Sequence, residues 1–139
     1  MLKRLTVLFL CALTLIGCWW VNSNELFDGL NGITTELYEH KNSSSAQISL
    51  ASHLDYRFST NKYGEACVVD RKDFCLAEFL SDFNASLIFT ERLSHGVSYY
   101  AYSPQIKYSK NINGKKINIH VFVGDQNVKV ASPIIFGSY

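Results

Sequence analysis

The chain has 139 residues, and its 13 Lys and Arg against 12 Asp and Glu leave a formal net charge of +1. Nine Phe and eight Tyr against two Pro exclude a disordered chain or a long linker beyond about residue 25. The near-neutral total hides an asymmetry: residues 18–91 carry five basic against eleven acidic side chains, net −6, and residues 92–139 carry six against one, net +5. Oppositely charged halves fit either one domain whose faces differ in sign or a basic face for an anionic partner.

Lys3 and Arg4 precede an uncharged run from Leu5 to Val21, short for a membrane span of about 20 residues but matched to the apolar region of an export signal. The run contains Leu15-Ile16-Gly17-Cys18, which resembles the lipobox of bacterial lipoprotein signals; the resemblance covers the first eighteen residues only. It implies cleavage before Cys18, a diacylglyceryl group on the Cys18 thiol, and a cell-envelope address. Trp19 follows in place of the Asp of inner-membrane retention, which implies the outer membrane or the surface. The residues also admit ordinary cleavage after Ser23, giving a secreted protein, or retention of the segment as an anchor, with Trp19-Trp20 at the interface. The expected organisation is a signal peptide over 1–17, a tether over 18–24 and one α+β domain over 25–139, since about 120 residues suffice for one core and not two.

Leu26, Phe27, Leu30, Ile33 and Leu37 fall at helical spacing and predict an amphipathic helix over 24–41, although Gly29 and Gly32 each cost it about 1 kcal/mol relative to Ala. Residues 46–58 alternate cleanly and predict a long half-buried strand. Asp70 and Asp73 form a cap arrangement for a second helix running to about Phe83. Beyond Asn84 turn signals at Ser94-His95-Gly96, Ser103-Pro104, Asn113-Gly114 and Gly124-Asp125-Gln126-Asn127 delimit five strands, and Asn113-Gly114 is the strongest hairpin signal among them. Ile117, Ile119, Val121 and Val123 alternate with Lys116, Asn118, His120 and Phe122, which assigns one face to the core. The expected fold is α+β: two helices on an antiparallel sheet of about five or six strands, ending in a β-meander, in two layers.

Cys67 and Cys75 are the cysteines of the folded part, and an exported compartment favours a disulfide between them, stabilising by roughly 2.5 kcal/mol. Their spacing matches no metal site, and His40, His53, His95 and His120 are scattered, so neither a metal nor a cofactor is expected. No GxSxG, P-loop or dinucleotide fingerprint occurs, and no catalytic residue is assigned. The candidate binding surface is Tyr99, Tyr100, Tyr102 and Tyr108 with Lys107, Lys110, Lys115 and Lys116. Such a surface suits an anionic envelope component: a cell-wall polymer, an acidic lipid or an acidic protein. Nucleic acid is not expected outside the cell. Alternatively the tyrosines fill the core and the lysines blunt a sheet edge. The sequence thus reads as a non-catalytic envelope lipoprotein acting as a binding or accessory module. An inhibitor or immunity protein against a secreted hydrolase or toxin, and an envelope hydrolase whose site is assembled from distant residues, are the other classes it admits.

Overall fold

The computed structural model describes residues 2–22, 26–27, 30, 33–38, 48–49 and 63–136. Helix α1 spans Leu2–Asn22. Strands β1 (Ile33–Tyr38), β2 (Ile48–Ser49) and β3 (Gly64–Asp70) follow, then a 3-10 turn over Arg71–Asp73 and helix α2 over Leu76–Asp82. Strands β4 (Ser86–Leu93), β5 (Gly96–Tyr102), β6 (Lys110–Ile112), β7 (Lys115–Ile117), β8 (Ile119–Val123) and β9 (Asn127–Ser132) complete the fold. Among the described residues seven strands form one antiparallel sheet in the order β2-β1-β3-β9-β8-β5-β4, and β6 with β7 form a separate hairpin. The class is α+β, as the sequence predicts.

One face of the sheet packs against α2. Phe27, Phe74 and Phe79, with the half-buried Phe83, cluster over Cys67, Val69, Val121, Val128 and Val130. The buried Glu65 carboxylate accepts the Phe27 backbone N–H at 2.9 Å and pins this apolar turn to β3. The other face is closed as well. Tyr38, Ala66, Phe122 and Ala131 lie beneath the segment after β9, which contributes Ile135 and Phe136. Strand β8 is therefore buried on both sides: Ile119 and Val121 face α2, and His120 and Phe122 face the second layer.

Several expectations are corrected. The helix predicted over 24–41 is replaced at its C-terminal end by β1. Leu26, Phe27 and Leu30 do share a core contact, through a turn closed by Leu30 N–H to Phe27 C=O, but the β-branched run Ile33-Thr34-Thr35 that follows favours a strand. Asp70 and Asp73 flank the 3-10 turn and do not cap α2, because Phe74 must leave the turn in extended conformation to reach the core; Cys75 takes the cap position. Cys67 and Cys75 are not within disulfide distance of each other. Cys67 points from β3 into the core whereas Cys75 faces solvent ahead of α2, so the predicted disulfide does not form. Of the strand predicted over 46–58, Ile48–Ser49 is a strand and the rest lies outside the described residues.

The connection from β5 to β6 hangs on Asn118, which is fully buried. Its Oδ1 accepts Ser103 N–H at 2.7 Å, and its Nδ2 donates to Ser103 C=O at 2.6 Å and Ile106 C=O at 3.0 Å. Replacing Asn118 by Ala strands three buried backbone groups at about 1 kcal/mol or more each. We expect Asn118→Ala to lower unfolding stability by roughly 3 kcal/mol, read from the urea midpoint at unchanged m-value.

Candidate binding surface

The β6–β7 hairpin turns at Asn113 and Gly114, both at positive φ (51° and 77°), the conformation a two-residue hairpin requires and Asn-Gly tolerates. Ile117 at its base is fully buried, which fixes the hairpin to the domain. Its lysines lie across aromatic rings of the second layer: Lys115 Nζ is 5.5 Å from the Phe89 ring centre, Lys116 Nζ 5.0 Å from Tyr102, and Lys110 Nζ 4.8 Å from Phe136. Just ahead of the hairpin, Lys107 Nζ stands 5.5 Å from the Tyr108 ring, which packs 5.4 Å from Tyr63. Lys116 also donates to the Tyr102 hydroxyl at 3.4 Å. Distances under about 6 Å place each ammonium in the attractive field of a ring face. Lys107, Lys115 and Lys116 are exposed and Lys110 is half-buried. Among the described residues none of the four is paired with a carboxylate.

The structure divides the eight predicted surface residues. The four lysines, Tyr102 and Tyr108 belong to one surface. Tyr99 and Tyr100, adjacent on β5, point to opposite faces: Tyr99 packs against the α2 layer, and Tyr100 is buried in the second layer. Tyr100 stacks between Phe89 and His120, with ring centres 4.3 Å away on each side, and its hydroxyl donates to Glu91 at 3.2 Å. These three rings are cross-strand partners on β4, β5 and β8. Phe89, Phe136 and Tyr63 are the surface residues that sequence reasoning misses, since nothing local marks a ring as the seat of a lysine many positions away.

His120 also reaches Ser98, Nε2 to Oγ 3.2 Å, a separation that suits a nucleophile and its base. Its other contact argues against that role. The Ile135 backbone N–H donates to Nδ1 at 3.2 Å, so Nδ1 carries the lone pair and Nε2 the proton, which is donated to Ser98. Ser98 is fully buried and His120 is 2 % exposed, leaving no access for a substrate. Burial pushes the His120 pKa from 6.5 down to about 4 and keeps the ring neutral.

Elsewhere, an open depression of about 620 Å³ lies between the 3-10 turn and the β8–β9 turn, lined by Asp70, Arg71, Lys72, Phe74, Asp125 and Gln126. Its charges are of both signs, and two of them, Lys72 and Asp70, pair with each other at 3.7 Å. Among the described residues no three His, Cys, Asp or Glu side chains gather as a metal site. No protein-family model, curated protein or solved structure matches the chain.

Because the unfolded chain takes up the His120 proton near pH 6.5 and the folded chain only near pH 4, the unfolded state holds more protons between those values. The stability this group contributes is complete above pH 6.5 and falls as pH drops toward 4, by roughly 3 kcal/mol across the window. We expect wild type to lose more stability than His120→Gln between pH 7 and pH 4.5 in denaturant titrations. Parallel pH profiles would rule His120 out as the titrating group.

Proposed function

We propose that this protein is an exported cell-envelope lipoprotein, tethered through Cys18, that acts by binding an anionic envelope component at its lysine-bearing hairpin. The observation that carries the reading is how apolar surface is distributed. Leu5, Val7, Leu8, Phe9, Leu10, Leu13, Leu15 and Ile16 on α1 are 49–71 % exposed, whereas the rest of the described chain leaves only Leu87 and Tyr108 among its large apolar side chains exposed. Apolar groups hidden so completely elsewhere among the described residues suit α1 to a second environment, the lipid of an export pathway. The two charges at Lys3 and Arg4 and the lipobox ending at Cys18 fit that environment with processing at Gly17-Cys18.

The binding half of the reading rests on charge. From Leu93 to Gly124 the sequence contains no Asp or Glu, and Lys107, Lys110, Lys115 and Lys116 lie within that stretch. Four ammonium groups lying over rings, with no carboxylate paired to them among the described residues, form a cationic surface suited to phosphate or carboxylate groups.

Expression of the full chain in a bacterium beside Cys18→Ala tests the tether. We expect intact mass to show a lipid-modified product starting at Cys18 and fractionating with membranes, and the variant to lack both properties. A lipid-free soluble product starting near Asn24 would replace the tether with simple secretion.

A further inference from the structure

We infer that the β6–β7 hairpin docks the domain onto anionic phospholipid headgroups of the membrane that carries its own anchor, so that lipid and lysines act as two signals on one surface. The inference rests on the lipid-tether reading above. A basic patch adds to the hold of a lipid anchor when both reach the same bilayer.

Reach is set by the chain. Phe27, fixed in the core through Glu65, lies nine positions after Cys18. Nine residues span at most about 30 Å. A domain built of layers packed about 10 Å apart is therefore held within about its own thickness of the headgroups, with enough slack to roll its hairpin side onto them. At that distance binding is intramolecular and the patch meets headgroups at high effective concentration. Screening limits the attraction to about 8 Å at physiological salt, so the lysines must come into contact to act.

The surface suits headgroups and not the hydrocarbon below them. Ser109, Asn111, Asn113 and Gly114 are exposed around the lysines, and no large aliphatic side chain is exposed on the hairpin. Glu91, on the strand beneath Lys115, is engaged by the Tyr100 hydroxyl. The rings under Lys110, Lys115 and Lys116 bias where the ammonium groups stand before contact, which lowers the side-chain freedom lost on binding.

Lysine acylation read by mass spectrometry tests the inference. Protein purified from bacterial membranes with its anchor is placed in phosphatidylcholine vesicles with or without phosphatidylglycerol. We expect Lys107 and the three hairpin lysines, Lys110, Lys115 and Lys116, to react several-fold more slowly when phosphatidylglycerol is present. The protection should vanish in high salt, should not be reproduced by inorganic phosphate over phosphatidylcholine vesicles, and should leave Lys72 unchanged. A folded Lys115→Gln/Lys116→Gln variant should lose the protection at Lys107 and Lys110. Equal rates in both vesicles while the protein stays vesicle-bound would overturn the docking inference and leave the tether standing. Protection by added cell-wall sacculi over phosphatidylcholine alone would overturn it in favour of a polymer. Protein without lipid mass that does not remain with vesicles would overturn the tether itself, and the inference with it.

Discussion

Burial of β8 on both faces is the constraint on which the rest of the structure depends. A central strand covered on one side reads as alternating apolar and polar residues, but here Asn118, just ahead of the strand, and His120 within it are shut away from water as fully as Ile119 and Val121. Each must therefore find partners within the protein, and those partners are the segments that close the fold. Asn118 holds the 103–106 connection through Ser103 and Ile106. His120 receives the Ile135 backbone N–H, while Tyr38 receives that of Phe136 at 3.4 Å. Apolar contact alone would let the segment after β9 slide over Phe122 and Ala131; these directional bonds set its register.

The same layer reconciles the oppositely charged halves. Lys129 on β9 meets Glu36 on β1 at 2.6 Å, with side chains 11 % and 15 % exposed. The two strands are not neighbours, since β3 runs between them, and the pair crosses it where Glu36 has the small Ala66 as its strand partner. Glu36 also accepts the Tyr38 hydroxyl at 3.0 Å. Burial, and then the adjacent Glu36 charge, push the Tyr38 hydroxyl far above its ordinary pKa, so it remains a donor. An ion pair this enclosed adds little net stability after desolvation, but removing either partner leaves the other charge buried.

What the sequence made legible follows the range of the forces involved. Asn113-Gly114 was readable because the positive φ values it needs are set by two residues, and α2 because its apolar residues recur within seven positions. The strands after Asn84 were readable by alternation, although the hairpin stands apart from the main sheet. The helix expected over 24–41 failed where two patterns competed: Leu26, Phe27 and Leu30 satisfy helical spacing through a single turn, and the β-branched residues after Gly32 decide the rest. The Cys67 to Cys75 pairing failed because loop length says nothing about which way two side chains face. Of the candidate surface, the lysines were legible as a charge cluster. The division of Tyr99 from Tyr100 required knowing that both faces of β5 are covered.

The two roles weighed for those lysines are not exclusive, because they reside in different parts of the side chain. A lysine whose ammonium stands about 5 Å from a ring centre lays its methylene stem over apolar surface that would otherwise meet water, and Phe89, Tyr102 and Phe136 are covered in this way. That role needs length and flexibility and is indifferent to the charge at the tip. Presenting an unpaired ammonium to solvent depends on the charge, and a long polar residue such as Gln would cover the ring nearly as well without it. Four such tips lie within ten residues in a stretch without a carboxylate, and the proposed anion-binding role rests on that clustering of charge. The ring beneath each lysine adds a weak attraction that an isolated surface lysine lacks, and so biases where its ammonium stands.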